Sequence, residues 1–458
     1  MSGPSGDRGA IDRRLLFLGA VGFFSWAAVA PRPAIAATSA VMGLTALWLA
    51  TSGSTLSSVR RWGSIAAVFA VLVMFLAGPK TVGSLPESVQ DIPWLWVALI
   101  AIASLAAVIS DRVDTARKVG VTVALTGVLL VTLAMTAAEW DSSSGFDVYR
   151  MHVAAGDALA TGDNPYEDSV RVLSGSPFAE PGSVIAGYSY PPLVAVTYGL
   201  VAALADPRLV SLMAWFLIVG WLTIRVWRES ETAQFSFAVL LVAVSAPIWP
   251  VLWYAGWTEP LSLALLLGAL LLWRAHPVAS AILLGLMLAS KQYFIFLAPL
   301  VLLHRDEFRK QRGAIVFSTI AITIVPYLLL DPGAYIQATI TNLVDIGFRP
   351  DSQSLAGFAN EWGFTFQLPP ILWVGIGLAF TALISHRSHT PGDFACYSAL
   401  GLGFAFAIGQ SFPNYWWFVM GAAAIAAIIK TAEGVDRGTP QSEGEVRHSF
   451  RRPWERAG

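Results

Sequence analysis

The sequence predicts an all-α fold: a polytopic transmembrane helical bundle with two long loops on its outer face. Of the 458 residues, 55% are hydrophobic and only 13% are charged, whereas soluble domains carry about 25% charged residues. Apolar runs of the kind that cross a bilayer recur along the chain. Two polar stretches interrupt them, at 139–189 and 331–370. The formal net charge of −1 argues against a nucleic-acid partner, and the single cysteine, Cys396, excludes a disulfide within the chain.

The apolar runs divide the chain around the first polar stretch. We predict an N-terminal membrane module of about five helices at 1–138 and an outer catalytic loop with an amphipathic surface helix at 139–189. A C-terminal membrane module follows at 190–430, including the second outer loop at 331–370, and 431–458 form a flexible cytoplasmic tail. The candidate spans are 15–30, 34–52, 65–78, 94–110, 119–138, 191–205, 209–226, 237–254, 260–273, 278–289, 293–303, 314–330, 371–385, 394–409 and 416–429.

Basic clusters orient the predicted spans, because short cytoplasmic loops are enriched in Lys and Arg. We place these basic clusters on the cytoplasmic side: Arg8, Arg13 and Arg14; Arg60 and Arg61; Arg112, Arg117 and Lys118; Arg225 and Arg228; residues 304–312; Arg387; and the tail from Lys430. Both long loops then lie outside, together with 256–259, Lys291 and 410–414. A full crossing by 191–205 would put Arg225 and Arg228 outside, so we favour a short or re-entrant segment there.

Asp147 is the first candidate for chemistry, and it lies in the acidic outer loop. From Glu139 to Gly187 the chain holds eight acidic and two basic residues. Apolar residues follow at helical spacing and predict a helix on the outer membrane surface. That stripe consists of Val148, Met151, Ala155, Ala158 and Leu159. At the start of such a helix, Asp147 is either an N-cap, worth about 1 kcal/mol, or a catalytic carboxylate.

Lys291, followed by Gln292, lies between two apolar runs. A charge that faces lipid costs about 2.5 kcal/mol or more at the bilayer centre, so this lysine is expected to reach an interface or an anion. It is either a snorkelling residue in a hairpin tip or a phosphate-binding residue.

Glu259, Gln353, Asn414 and Tyr415 are weaker candidates on the same predicted face. Glu259 begins a predicted helix, where a carboxylate also suits the helix dipole. Tyr188 and Tyr190 precede two prolines that open a span, as proline does in a first helical turn. The sequence contains no nucleotide phosphate loop, no dinucleotide-binding glycine motif and no His/Cys spacing for a metal.

At these residues the chain resembles the GT-C superfamily of membrane glycosyltransferases. The nearest group is glycosyltransferase family 87, the polyprenyl-phosphate-mannose-dependent α-mannosyltransferases. The matching pieces, in order, are Asp147 with Tyr149, Gly162-x-x-Pro165-Tyr166, Tyr190-Pro191-Pro192-Leu193, Lys291-Gln292 and Ser352-Gln353-Ser354-Leu355. The family's catalytic loop follows its first span, whereas about five predicted spans precede it here. Trp257-Thr258-Glu259 and Asn414-Tyr415 also depart from the family pattern.

The resemblance implies an inverting transfer of a sugar, mannose in that family, from a polyprenyl-phosphate donor to an acceptor hydroxyl on a glycolipid or polysaccharide. Asp147 is the expected general base, and Lys291 and Gln292 are expected to bind the donor phosphate. The expected substrate-binding residues are Tyr149, Asp163, Tyr166, Tyr190, Glu259, Gln353, Asn414 and Tyr415. No cofactor is expected beyond the lipid-linked sugar as co-substrate, and a metal requirement stays open.

The expected location is the bacterial plasma membrane, in contact with membrane lipids and with the active site on the extracytoplasmic face. Two other functions stay open. A transporter or flippase for a lipid-linked sugar would explain the bundle and a charge at membrane depth, but it would favour internal repeats and broken helices near the midplane. A non-catalytic scaffold of cell-envelope synthesis is the third.

Overall fold

The structure, a computed structural model, confirms the helical fold class. It describes residues 16–17, 19–24, 27, 33–51, 147–167, 169–171, 184–228, 253, 255–342, 352–364 and 368–438. The candidate spans at 65–78, 94–110 and 119–138, and nearly all of 237–254, lie outside these residues. So do the cytoplasmic tail from 439 and the acidic residues Glu139 and Asp141.

The first helices flank a small ribbon of strands. In chain order the elements are α1 (Pro33–Thr51), α2 (Asp147–Thr161), β1 (Ser169–Arg171), β2 (Val184–Ala186), α3 (Pro192–Ala202) and α4 (Arg208–Arg228). The strands pair antiparallel, with Val170 opposite Ile185. This ribbon is a local departure from the predicted all-α fold, and it pairs two segments in the second half of the outer loop.

In the second half, the regular elements of the described residues are all helical. It contains α5 (Glu259–Leu271), α6 (Pro277–Leu288), a 3₁₀ helix (Gln292–Leu297), α7 (Ala298–Leu303), α8 (Arg309–Leu330), α9 (Pro332–Ile336), a π-helical turn (Gln337–Thr341), α10 (Leu355–Glu361), α11 (Pro370–Ser385), α12 (Pro391–Ile408) and α13 (Pro413–Gly438). The predicted loop at 331–370 therefore carries short helices of its own.

Proline and local capping explain where many of these helices begin. Proline occupies the first turn of α3, α5, α6, α9 and α11, where its missing N–H needs no partner. α12 adds a capping box: the Thr390 hydroxyl accepts the backbone N–H of Asp393, and the Asp393 carboxylate accepts that of Thr390. These local signals place the helix starts within a few residues of the predicted spans.

Large apolar side chains on the outside of the bundle identify the lipid-facing surface. On α8, Ile322, Leu329 and Leu330 are 73%, 76% and 66% exposed, and on α11 Ile371 is 81% exposed. Among the described residues, α8 and α12 are the two helices long and apolar enough to cross a bilayer by themselves. Such a surface is unfavourable in water and favourable in lipid, so it agrees with a membrane bundle.

The predicted amphipathic helix exists as α2, but its apolar stripe packs against protein. Val148, Met151 and Ala155 are buried, and the helix lies against α3. A Cβ atom added at Gly156 would lie 2.8 Å from the Cβ atom of Ala202, and one at Gly199 would lie 2.8 Å from Leu159 Cδ1. The two glycines let the backbones approach closely, so the expectation that this stripe faces the membrane surface is corrected.

α3 has 11 residues, which gives a length of about 16 Å. The hydrocarbon core of a bilayer is about 30 Å thick, so α3 is too short to cross it alone. This length agrees with the short or re-entrant segment that the charges of the flanking loops favoured.

The first described helices belong to the same packed unit as the C-terminal module. α1 lies against α10 and α12, and the Phe24 ring stacks on Trp416 of α13 with centroids 6.1 Å apart. The predicted boundary at residue 138 therefore does not separate α1 from the bundle.

Candidate active site

A buried polar cluster is centred on the Glu259 carboxylate. This residue begins α5, and its side chain is fully buried. One oxygen, Oε1, forms a salt bridge with the Lys291 ammonium. The same oxygen accepts hydrogen bonds from the Tyr293 hydroxyl at 3.0 Å and from Asn414 Nδ2 at 2.7 Å. The other oxygen, Oε2, is buried and has no hydrogen-bond partner among the described residues.

Tyrosine rings surround the Lys291 ammonium. The ring centroids of Tyr190, Tyr293 and Tyr415 lie 5.1, 5.4 and 5.4 Å from Nζ, within the range of a cation–π interaction. We call these three residues the tyrosine cage. Lys291 is only 3% exposed, and a buried charge is costly unless it is paired. The cage and the Glu259 carboxylate together compensate that cost.

Asp147 supplies a second carboxylate to the same region. As the first residue of α2, it accepts the backbone N–H of Val148 through Oδ1 at 2.8 Å. Its charge also interacts with the Lys291 ammonium. Burial, and next the neighbouring Asp147 carboxylate, raise the pKa of the Tyr190 hydroxyl well above its ordinary value, so this hydroxyl stays protonated. The fold thus brings Asp147, Tyr190 and Lys291 together from three distant parts of the sequence.

The segment that carries Tyr190 is held by its own contacts. The Tyr166 hydroxyl donates to the Tyr190 carbonyl oxygen at 2.9 Å. Gly187 has φ +72°, and an added Cβ atom there would lie 2.6 Å from the Cβ atom of Ala338, so this position favours glycine both by conformation and by space. Tyr166 therefore positions Tyr190, and its contact with substrate stays a prediction.

The Gln292 side-chain amide is bound by two backbone carbonyl oxygens. Its amide nitrogen donates to the Ser189 carbonyl oxygen at 2.6 Å and to the Thr339 carbonyl oxygen at 3.2 Å. A glutamine amide has two N–H donors, and both are used here. A phosphate needs donors, so we assign Gln292 to holding the Tyr190 segment and leave Lys291 as the phosphate candidate.

His152 is a buried residue of the site region that the sequence analysis missed. Its Nδ1 lies 2.7 Å from the Tyr188 hydroxyl, its Nε2 lies 2.8 Å from the Gly256 carbonyl oxygen, and its ring stacks on Tyr198 with centroids 4.2 Å apart. Because a carbonyl only accepts, Nε2 carries the proton and Nδ1 accepts from the tyrosine. His152 thereby ties the helix of Asp147 to the Tyr188–Tyr190 segment and to the turn before Glu259. Its place among the apolar residues of α2 was the available signal.

A second buried ion pair lies beside Tyr149. The Arg208 guanidinium contacts Asp206 through two nitrogens, with Nη2 2.5 Å and Nε 2.9 Å from Oδ2. It lies over the Tyr149 ring at 5.0 Å and the Trp253 ring at 4.6 Å. Burial, and then the Asp206 charge, raise the pKa of Tyr149. Tyr149 therefore packs against the Arg208 guanidinium, and nothing in the short sequence Asp206-Pro207-Arg208 predicts this contact.

Gln353 is fixed by the backbone next to the start of α13. Its N–H donates to the Ser411 carbonyl oxygen at 2.9 Å, and its own carbonyl oxygen accepts from Trp416 Nε1 at 3.1 Å. Ser354 caps α10 by accepting the N–H of Gly357. The Gln353 side-chain oxygen is buried and makes no hydrogen bond within the described residues. Much of this motif is thus explained by local structure, while the side chain is still available for a ligand.

Asp163 lies apart from the polar cluster. It is exposed in the turn after α2, and its carboxylate accepts the Thr161 hydroxyl at 2.6 Å. Nothing in this turn connects Asp163 to Glu259 or Lys291. Across the described residues, no three His, Cys, Asp or Glu side chains come together in a way that could hold a metal ion.

The comparisons give a partial likeness in fold. No protein-family model matches the sequence, and no curated protein does. Two solved structures of ArnT from Cupriavidus metallidurans, one bound to undecaprenyl phosphate and one in the apo state, align at 19% and 20% identity with a TM-score of 0.43. The alignments cover 70% of this chain and 61% of the ArnT chain, so this chain matches less than two thirds of ArnT. The chemistry of the site follows from its own residues.

These residues combine three chemical capacities. A carboxylate, Asp147, can accept a proton. A caged ammonium, Lys291, can attract an anion. A buried carboxylate oxygen, Glu259 Oε2, can accept hydrogen bonds. The protonated Tyr190 hydroxyl adds a hydrogen-bond donor.

Proposed function

We propose that this chain is an integral-membrane glycosyltransferase of the GT-C type. It transfers a sugar from a polyprenyl-phosphate donor to an acceptor hydroxyl at the outer membrane face. The observation that supports this most is that the Asp147 carboxylate lies near enough for its charge to interact with the Lys291 ammonium, which the tyrosine cage surrounds. A base and an anion-binding cation at one place are the two groups that such a transfer needs.

The reaction is a single displacement at the anomeric carbon. Asp147 accepts the proton of the acceptor hydroxyl, and the acceptor oxygen forms a bond to the anomeric carbon. The bond from that carbon to the phosphate oxygen breaks, and the polyprenyl phosphate leaves with the electron pair. Lys291 stabilises the charge that develops on the leaving phosphate. Inversion converts a β-linked donor to an α-glycoside, and mannose is the sugar that the sequence resemblance favours.

The lipid-facing surface supports a polyprenyl donor. The last turn of α8 contacts the outer loop, where the Tyr327 ring lies 5.5 Å from the Tyr166 ring between centroids. Leu329 and Leu330, in the same turn, are exposed. A polyprenyl chain in the bilayer can follow this apolar surface to the loop, which leaves its phosphate at the interface near Lys291.

One observation favours the transporter as a second candidate. Lys291 lies in the break between α6 and the 3₁₀ helix, and transporters often place substrate groups at broken helices. Proteoliposomes loaded with a fluorescent polyprenyl-phosphate sugar separate the two functions. A transporter moves the lipid between leaflets without an acceptor, whereas the transferase releases polyprenyl phosphate only when an acceptor is present.

The test of the proposed function is transfer by purified protein in nanodiscs. Polyprenyl phosphates bearing mannose, glucose or arabinose are supplied with a membrane lipid extract, and release of polyprenyl phosphate is measured. Asp147→Asn keeps the size of the side chain and removes the base. Because general-base catalysis contributes about 10²–10⁴-fold, turnover should fall at least about a hundredfold with an unchanged melting temperature.

Asp157→Asn is the matched control. Asp157 is an exposed carboxylate on the same helix, and its replacement should leave turnover near the wild-type value. Full turnover by Asp147→Asn would assign the base to another residue. Absence of turnover by the wild type with every donor would refute the proposed function.

A further inference from the structure

The two oxygens of Glu259 have very different surroundings. Oε1 accepts from three side chains, Lys291, Tyr293 and Asn414, whereas Oε2 has no hydrogen-bond partner among the described residues although the side chain is fully buried. An unsatisfied buried polar atom is costly and calls for an explanation such as a bound water or ligand. The arrangement is that of a carboxylate with one oxygen fixed by the protein and one held ready for a donor.

The position of Lys291 limits which ligand group can reach that oxygen. If Lys291 binds the donor phosphate, the sugar must lie beside it, because the anomeric carbon is bonded directly to a phosphate oxygen. Ring hydroxyls are then a few bonds from the phosphate. Glu259 is in direct contact with Lys291, so its second oxygen lies within reach of a hydroxyl on that ring.

Charge decides between the sugar and the phosphate as the partner of Oε2. A carboxylate oxygen accepts hydrogen bonds and repels an anion, so it suits a neutral hydroxyl and not the phosphate. A hydrogen bond from a hydroxyl to a carboxylate is also stronger than one between neutral groups. The cation of this ion pair therefore faces the phosphate, and the anion faces the sugar.

We infer that Glu259 is the sugar-binding and specificity-determining residue of the donor site: Oε2 accepts a ring hydroxyl of the donor sugar while Oε1 holds Lys291 in position. This inference rests on the proposed function. The Glu259 side chain then has two roles, and the two roles predict different effects of a substitution on the affinity for different ligands. A purely positioning role affects every ligand that carries a phosphate, whereas the sugar-binding role affects only ligands that carry a sugar.

Glu259→Gln distinguishes the two roles because the amide orientation is fixed. Three donors converge on the position of Oε1, so the carbonyl oxygen of the glutamine must occupy it. The NH2 group then replaces Oε2 and can no longer accept a hydroxyl proton. The variant removes the charged acceptor for the sugar and keeps a hydrogen-bond acceptor for Lys291.

The experiment compares the affinity of bare polyprenyl phosphate with that of polyprenyl phosphate bearing mannose, glucose or arabinose, using protein in nanodiscs. For the sugar that the wild type binds most tightly, Glu259→Gln should weaken binding about tenfold more than it weakens binding of bare polyprenyl phosphate. Tyr293→Phe is the matched control. It removes one donor to Oε1 without touching Oε2, so it should change both affinities by the same factor.

Equal weakening of both ligands by Glu259→Gln would reduce Glu259 to a positioning residue and overturn the inference. Unchanged affinities would overturn it as well. Wild-type protein that binds neither ligand would instead refute the proposed function. If Glu259→Gln does not fold, Glu259→Asp gives the same comparison, because it keeps the charge and withdraws both oxygens by one methylene group. The loss of affinity in Glu259→Asp should again be larger for the sugar-bearing ligand than for bare polyprenyl phosphate.

Discussion

His152 should make the stability of this protein depend on pH. Both ring nitrogens are engaged, Nδ1 with the Tyr188 hydroxyl and Nε2 with the Gly256 carbonyl oxygen, and the ring is fully buried. Burial lowers the pKa of His152 to about 3. The folded protein therefore keeps this imidazole neutral under conditions in which an unfolded chain protonates it. His152→Gln removes the titrating group.

The magnitude follows from the difference between the two pKa values. An unfolded histidine has a pKa of about 6.5. Since the folded pKa is lower, the unfolded state binds more protons between these values, and stability falls as the pH decreases. The contribution is complete above about pH 6.5. At pH 5 about 2 kcal/mol of it is lost, which corresponds to a decrease in melting temperature of roughly 2–4 °C.

The assay is thermal unfolding of detergent-solubilised protein at pH 7.5 and pH 5. The difference between the two melting temperatures should be larger for the wild type than for His152→Gln by roughly 2–4 °C. The variant itself should be less stable than the wild type at both pH values. His276→Gln is the matched control, because His276 is exposed and its loss should not change the pH dependence. A difference that is identical in wild type and His152→Gln would refute the buried neutral imidazole.

Two further predictions concern the donor site and its orientation. Lys291→Ala leaves Glu259 as a buried, unpaired charge, which costs about 3–5 kcal/mol, so the donor kinetics of Lys291→Ala/Glu259→Gln are compared with those of Glu259→Gln alone; we expect still weaker donor use in the double variant with little change in acceptor affinity, and equal donor kinetics in the two variants would remove Lys291 from the site. In a Cys396→Ala background, a cysteine at Ser143 should react with an impermeant thiol reagent in intact cells, whereas one at Gln311 should react only after permeabilisation; the opposite pattern would place the site inside.

The fold could be predicted well where local signals and hydrophobicity agree. The predicted span at 209–226 corresponds to α4, and that at 278–289 corresponds to α6. The 3₁₀ helix that follows Lys291 was not predicted, since an apolar run of this length looks the same whether its first turns are 3₁₀ or α-helical. The β-ribbon was missed for a related reason. Its strands have three residues each, too few for an alternating pattern to show.

The candidate site residues came from the sequence, whereas their partners in the structure could not be predicted from it. Asp147 was identified from a capping position in an acidic loop, and Lys291 from its position between apolar runs. His152 was overlooked because a histidine among scattered histidines carries no spacing signal. Arg208 was overlooked because its partner Asp206 is a near neighbour in sequence, and such pairs are usually exposed, whereas this one is buried between aromatic rings.

The pairing of Glu259 with Lys291 shows that charged residues in an apolar bundle are best interpreted as pairs. Taken alone, the glutamate had a helix-dipole explanation and the lysine a snorkelling explanation, and both treated the residue as reaching solvent. The structure buries both, and a buried charge needs an opposite charge. In an apolar bundle, an acidic and a basic residue at the same predicted depth should therefore be paired before either is explained singly. That pairing also bears on the proposed donor site: a lysine neutralised by a glutamate attracts a phosphate less strongly than a free one, so the proposed sugar contact of the glutamate would strengthen donor binding where the ammonium alone is weakened.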